Sequence, residues 1–401
     1  MNNSARARLF IMMALEFVIW GAWLPLIFNY LPTLHFTTFQ IIAILNAFPV
    51  AALVAMFFSN QFADRNFAAE KFLGFSQLIG GLCMAGLAFT YSFWTFFTLM
   101  LIHCLLYVPT LSIVNSIVFA NLKDSKDFGL IRMGGTIGWV LAAWPLFFIL
   151  TDAASIRWTY MISGIASLAL AGLSLFLPHT PPKKAEGTKD KLAWVEALRL
   201  LKHPFVLVLW LVTLVDAYVL NVFFNWAGLF LGSPQVGLPP KWIMPVMSIG
   251  QVAEILTMAV LGWTLKRLGW RWTMILGISG HVVRFLVFAL FPQQTWLIIL
   301  VFALHGICYA FFFAAVYIFV DDFFPKDVRS SAQGIFNVMI LGLGVIAANT
   351  LCPLMMEHFT VNEAVDFKSL FLIAAGVSLA AALSLAFFFH PPAMKQQPAQ
   401  S

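Results

Sequence analysis

From Phe72 to Leu122 the chain reads FLGFSQLIGGLCMAGLAFTYSFWTFFTLMLIHCLLYVPTLSIVNSIVFANL, 51 residues without Asp, Glu, Lys or Arg. A helix that crosses a bilayer needs about 20 apolar residues, so this stretch alone holds two crossings. Phe17 to Ala63 repeats the pattern over 47 residues. Across all 401 residues, 61% are hydrophobic, 16% aromatic and 10% charged, where soluble domains carry roughly 25% charge and about 45–50% apolar residues. A soluble enzyme, a nucleic-acid-binding domain and a secreted scaffold are excluded. The net charge of +6 is not a nucleic-acid signal, because the basic residues sit in short loops between apolar runs, where they report topology. Cys83, Cys104, Cys308 and Cys352 all fall within apolar runs, with no CxxC pair, so neither a disulfide framework nor a zinc site is expected. The first run, 9–31, is longer than the roughly 7–15-residue core of a signal peptide and lacks a small-residue cleavage site. It reads as a retained first helix.

Apolar runs between charged or Pro/Gly-rich breaks predict twelve spans: 9–31, 41–63, 72–91, 94–121, 130–151, 158–178, 205–231, 241–265, 272–291, 295–320, 330–356 and 368–390. Runs this long and continuous do not fit a β-barrel, whose strands alternate in short segments. The expected fold is an all-α membrane protein. Assigning alternate loops to opposite sides puts eighteen Lys and Arg on the side of the N-terminus, and only Arg157, Lys241 and Lys368 on the other. By the positive-inside rule both termini are cytoplasmic. The longest polar segment, HTPPKKAEGTKDKLAWVEALRLLKH from His179 to His203, parts the chain into two halves and reads as a surface helix after Pro181-Pro182. The predicted organisation is a six-helix bundle over 1–178, a cytoplasmic central loop over 179–204, a second six-helix bundle over 205–390 and a cytoplasmic tail over 391–401.

The halves echo each other. Ala63-Asp64-Arg65-Asn66-Phe67 follows the second span, and Gly262-Trp263-Thr264-Leu265-Lys266-Arg267-Leu268-Gly269 follows the eighth, as an internal repeat requires. Here the sequence resembles the major facilitator superfamily, whose second loop carries a G-x-x-x-D-R-x-G pattern. Asn60 and Phe67 replace its glycines in the first half, and Gly262 and Gly269 keep them in the second. The resemblance implies two six-helix pseudo-repeats and a cytoplasmic gate at Asp64, Arg65, Lys266 and Arg267.

Charges at membrane depth are costly and mark pairs or pathways. Glu16, Arg132, Asp216, Glu254 and Arg284 fall there, while Asp321 and Asp322 read as loop residues. At about 100° per residue, Arg132, Thr136 and Trp139 of the fifth span share one stripe, a cation, a hydroxyl and an aromatic surface. The alternative is a positive-inside charge beside a packing residue. Gln251 and Glu254, three apart, face one way in the eighth span, with Glu254 roughly 20 Å in at about 1.5 Å per residue. Asn221 and Asn225 share a face of the seventh span; Asp216 points away from Asn225 and suits a structural contact. Arg284 could neutralise either Asp216 or Glu254. Glu16 could line a cavity or snorkel to the interface. His103, His281 and His305 read as packed residues, and Gly80-Gly81, Gly342 and Gly344 as close-packing positions. No GxSxG, Walker A or HExxH motif is present, which argues against an enzyme, a cofactor or an ATP-driven pump.

Several ordered segments together resemble the bacterial nucleoside:proton symporters. They are Trp20-Gly21-Ala22-Trp23, Tyr107-Val108-Pro109-Thr110-Leu111 with Asn115-Ser116-Ile117, and Ile131-Arg132-Met133-Gly134-Gly135-Thr136-Ile137-Gly138-Trp139. Gln251-Val252-Ala253-Glu254 and Arg329-Ser330-Ser331-Ala332-Gln333-Gly334 complete the set. The resemblance implies proton-driven nucleoside uptake by alternating access through a cavity between the halves. It assigns substrate contacts to Arg132, Thr136, Trp139, Gln251 and Glu254 and, on a looser local match, to Asn221 and Asn225; Tyr309 is a further candidate contact. Proton coupling is expected at Glu254, with Asp216 and Glu16 as weaker candidates. Many relatives carry an acid in the tenth span within Tyr-Asp-Phe or Phe-Asp-Phe, and this chain reads Tyr309-Ala310-Phe311, so an uncoupled facilitator is one alternative. A sugar or polyol carrier and a non-transporting receptor are others. The expected setting is the bacterial inner membrane, with nucleoside, protons and lipid as partners, no nucleic acid, and a monomer. The topology predicts that a cysteine introduced at position 35 is labelled only from outside and one at position 187 only from inside; the reverse pattern rejects the orientation.

Overall fold

The computed structural model describes residues 3–56, 66–121, 127–182, 199, 201–324, 329–362 and 364–391. Its main helices are α1 (Asn3–Trp23), α2 (Thr38–Val54), α3 (Ala69–Leu87), α4 (Phe93–Asn121), α5 (Asp127–Ile149), α6 (Trp158–Ser174), α7 (Pro204–Gly232), α8 (240–268), α9 (270–290), α10 (Thr295–Phe323), α11 (Ala332–His358) and α12 (Phe367–Phe388). Among the described residues, nine helical elements are long and apolar enough to cross a membrane; α8 and α9 count there as one, Pro240–Leu290. They are joined across Gly269, whose φ of 71° lies in the left-handed region that glycine enters without a Cβ penalty. The sequence predicted a break there, and the chain instead bends without a loop. A two-stranded hairpin, Thr360–Val361 paired with Ala364–Val365, interrupts the all-helical expectation. It leads into α12, capped by Asp366: the Ser369 hydroxyl and backbone N–H donate to its carboxylate and hold it below its usual range.

The described residues form two compact units. The first comprises those of Met1–Glu186, Val222–Ser248 and Val345–His358; the second comprises those of Gly187–Asn221, Ile249–Gly344 and Phe359–Ser401. In the first unit α1 packs on α5 and α6, and α3 lies against α6 and α4. Lipid tails are as apolar as leucine, so these contacts gain from close backbone approach at small residues. A Cβ at Gly134 would meet the Phe10 carbonyl at 2.7 Å, and one at Gly138 would overlap the Ala14 backbone; Gly164 lies likewise on Gly81 and Ala85. Below the spans, the Glu70 carboxylate accepts from the Thr180 backbone N–H at 2.9 Å and faces His179 Nδ1 at 2.7 Å, tying the start of α3 to the chain after α6.

In the second unit the core is aromatic: Phe311, Phe312, Phe319, Phe336 and Phe389 pack with Met274, Ile278 and Leu385. Gly277 admits the α10 backbone at Phe311 and Phe312. Two π-helical segments lie within this unit, Tyr309–Ala314 in α10 and Val338–Leu343 in α11, and such segments are enriched at functional positions. The outward faces remain apolar in both units, with Phe148 81% and Leu175 82% exposed in the first and Leu256 68% and Phe387 67% in the second, which suits lipid. Gly138 and Gly376 give a matched test. Gly138→Val should cost more than about 3 kcal/mol or abolish folded protein, by overpacking against Ala14. Gly376→Ala, with nothing within 4 Å of the added carbon, should be neutral or gain up to about 1 kcal/mol of helix propensity. Thermal unfolding in detergent reads both, and equal effects would overturn the α1–α5 contact.

Candidate functional site

On α5 the predicted stripe is present, and it packs against the aromatic segment 17–23 of α1. The Arg132 guanidinium carbon lies 4.4 Å from the centre of the Phe17 ring, and Thr136 and Trp139 are half-buried along the same face. Among the described residues Arg132 makes no ion pair with a carboxylate, so its hydrogen-bond donors remain available to a ligand. Trp139 meets Trp20 edge-on at 5.3 Å, Trp20 stacks on Phe48 at 4.9 Å, and Phe224 approaches Trp139 at 6.4 Å. A Cβ at Gly21 would stand 3.1 Å from the Trp139 ring, so this glycine admits the indole to α1. A cation and five clustered aromatic rings suit a planar ring that carries hydrogen-bonding groups.

The two asparagines of α7 differ. Asn221 donates back to Ala217 of its own helix at 2.8 Å. Asn225 is buried and donates to Asn349 Oδ1 at 3.1 Å, and Asn349 in turn donates to the Leu45 carbonyl at 2.8 Å. Leu45 precedes Asn46, where α2 is interrupted, and the Asn46 side chain donates to Thr350 at 3.1 Å. Sequence reasoning missed Asn349 and Thr350. Their signal was polar side chains within an apolar run of α11, but nothing in one sequence pairs them with positions about 300 residues away.

In the second unit α8 and α10 touch backbone to backbone. A Cβ at Gly306 would lie 2.5 Å from the Ala253 backbone, and one at Gly250 2.8 Å from the His305 side chain. At this contact Gln251 is buried, and Glu254, its side chain 19% exposed, brings Oε2 within 3.9 Å of His305 Nε2. Tyr309 follows one turn after His305, ring centres 6.4 Å apart, and Ala310 is wholly buried in the core. The His305 neighbour of Glu254 was not anticipated. Asp216 is fully buried, with His281 Nε2 3.8 Å from its carboxylate, and Arg284 Nη2 is 2.6 Å from His281 Nδ1. A guanidinium only donates, so Nδ1 accepts and Nε2 carries the hydrogen that faces Asp216. His281 thus hydrogen-bonds Arg284 and faces Asp216 at 3.8 Å, beyond hydrogen-bond distance.

Glu16 neither snorkels nor opens to solvent: it is 0% exposed, held between Thr110 and Gln77. Asp64 and Arg65 lie outside the described residues. Lys266 and Arg267 are exposed at the end of α8, with Arg267 5.4 Å over the Trp263 ring. Among the described residues no group of His, Cys, Asp or Glu could hold a metal ion.

Comparison with known proteins gives one consistent answer. A family described as "Nucleoside H+ symporter" matches residues 1–394. YegT of Escherichia coli (strain K12) is 30% identical over 372 residues, 90% of this chain and 87% of its own. The xanthosine permease of the same organism is 28% identical over 407 residues, 96% of each. The crystal structure of the nucleoside transporter NupG superposes with a TM-score of 0.85 at 26% identity, covering 98% of this chain and 100% of that one.

Proposed function

We propose that this chain, which belongs to the nucleoside H+ symporter family, imports nucleosides by alternating access and couples each to an inward-moving proton. It is a multi-pass membrane transporter and a permease, with no covalent step. The family match along nearly the whole chain carries this reading, and the α5 stripe supports it: ring-stacking by Trp139 and hydrogen bonding by Arg132 and Thr136 are what a base joined to a sugar needs.

In this reading α1 to α12 are twelve membrane-crossing helices in two six-helix pseudo-repeats, 1–178 and 205–390, joined by the loop 179–204 and followed by the tail 391–401. Both termini are cytoplasmic, the protein is a monomer of the bacterial inner membrane surrounded by lipid, and Asp64, Arg65, Lys266 and Arg267 form the cytoplasmic gate. Arg132, Thr136, Trp139, Asn221, Asn225, Gln251, Glu254 and Tyr309 contact the nucleoside. To reach a ligand the asparagines must give up present partners, since the amide of Asn221 serves its own helix and that of Asn225 serves Asn349. Glu254 carries the proton, since Ala310 stands where many relatives have an acid. It is the partly exposed carboxylate of the α8–α10 contact, beside His305, while Asp216 is closed off among His281 and Arg284.

Two experiments test this. Gln251→Ala leaves a ligand polar group without its partner, a loss of about 1–3 kcal/mol, so uridine or adenosine binding should weaken roughly five- to 150-fold. Trp139→Ala should weaken it too through lost stacking, and if calorimetry shows neither effect the site is misplaced. In proteoliposomes, Glu254→Gln should abolish uphill uptake driven by an inward proton gradient while exchange of labelled for unlabelled nucleoside continues. If the unmodified protein equilibrates nucleoside but never accumulates it under that gradient, symport is rejected and the chain is a facilitator.

A further inference from the structure

We propose that Glu16 of α1 is a proton-binding site of the first unit, holding its proton as a donor to Thr110 and exchanging it for the Thr110 hydroxyl hydrogen when the proton leaves. The argument is a count of hydrogens. Thr110 Oγ1 stands 2.5 Å from the Tyr107 carbonyl and 2.6 Å from Glu16 Oε1, yet a hydroxyl has one hydrogen to give. The neighbouring donors are committed. Gln77 Nε2 spends its two hydrogens on Glu16 Oε2 at 3.0 Å and on Thr110 Oγ1 at 3.1 Å. The Tyr107 phenol donates to the Glu16 backbone carbonyl at 2.7 Å, and Ser167 donates to Gln77. With the Thr110 hydrogen on the Tyr107 carbonyl, the short contact to Oε1 needs a hydrogen from the Glu16 carboxyl itself. The protonated acid gives each contact between Glu16, Thr110, Tyr107 and Gln77 a hydrogen. The carboxylate leaves two oxygens 2.5 Å apart with no hydrogen between them.

The charges around Glu16 agree. Among the described residues no Lys, Arg or His nitrogen pairs with it, and an ion buried without a partner is strongly disfavoured. Of the elements packed on α1, α3 offers the neutral Gln77 and α6 offers Ser163 and Ser167. From α4 come Tyr107, Cys104 and His103, whose Nδ1 faces the Gly80 carbonyl and whose ring stacks on Tyr107 at 5.2 Å. From α5 comes Arg132, which lies over Phe17.

The position gives the proton something to move. Pro109 has no N–H, so α4 lacks one backbone bond at that turn, and the Thr110-to-Tyr107 contact is the local tie beside it. Loss of the proton turns the Thr110 hydrogen from its own helix to α1. One turn further along α1 stand Trp20 and Gly21, both against Trp139. Glu16 thereby links a proton to the substrate stripe of α5; only this link rests on the nucleoside reading.

Glu16→Gln keeps the shape and can donate to Thr110 and accept from Gln77, so it mimics the protonated acid and should fold. The infrared difference between unmodified protein and the variant should show loss of the carbonyl stretch of a protonated carboxylic acid. Uridine binding, followed by calorimetry in buffers of different ionisation enthalpy, should show a change in protons exchanged per nucleoside in the variant. A difference spectrum containing only carboxylate bands overturns the proposal, and so does a proton count identical in both proteins. Absence of uphill uptake by the unmodified protein would reject symport instead, and the infrared band and proton count would still decide for or against Glu16.

Discussion

Within the hydrocarbon of a bilayer there is no water to complete a hydrogen bond, and this organises the molecule at every scale. Backbone groups must be satisfied within each segment, which leaves helices. Side-chain hydroxyls close back onto their own helices, as Thr213 does on Leu209, Thr257 on Ala253 and Ser378 on Ala374. Charged groups are few and occur in company. Asp216, His281 and Arg284 form one chain of contacts, Glu254 and His305 face each other, and Glu16 is enclosed by neutral donors. Where water cannot mediate, a proton is the cheapest adjustable charge, and a buried carboxyl is its natural holder.

The same constraint explains how much was legible beforehand. Span limits could be read because charged and proline-rich segments return where lipid ends: α4 was expected over 94–121 and runs Phe93–Asn121, and α7 over 205–231 and runs Pro204–Gly232. The α5 stripe followed from helical spacing alone. Irregularities inside spans were not legible. The 3-10 turns after Trp23, the interruption of α2 at Asn46 and the π segments of α10 and α11 are set by packing against distant helices and leave little compositional trace. Partners were harder still. A polar residue within an apolar run stands out in the sequence, as Glu16 and Asn225 do, but Gln77, Thr110 and Asn349 are brought to them only by the fold.

On the proposed reading, selectivity and coupling rest on different materials. In the aromatic wall of Trp20, Phe48, Trp139 and Phe224 each ring meets the next, and Gly21 leaves room for the Trp139 indole against α1. Such a surface distinguishes a flat ring from a purely aliphatic or polyol ligand. The acidic positions are instead set beside polar side chains: Thr110 and Gln77 at Glu16, His305 at Glu254, and His281 with Arg284 at Asp216. Replacing the α10 acid by Ala310 therefore does not empty the molecule of titratable positions.

The π-helical turns of α10 and α11 change what a residue number means along those helices. An α-turn closes on the fourth residue and a π-turn on the fifth, so residues before and after 309–314 are out of step with a uniform wheel. The direction in which Tyr317 points, toward Asn337 of α11, is thus fixed partly by how many residues precede it and not only by their identity. In a related chain with one residue fewer in that turn, an ordinary α-turn would keep His305 and Tyr317 in the same angular relation, so chain length there decides which residues of the turn itself face inward, something no substitution table records.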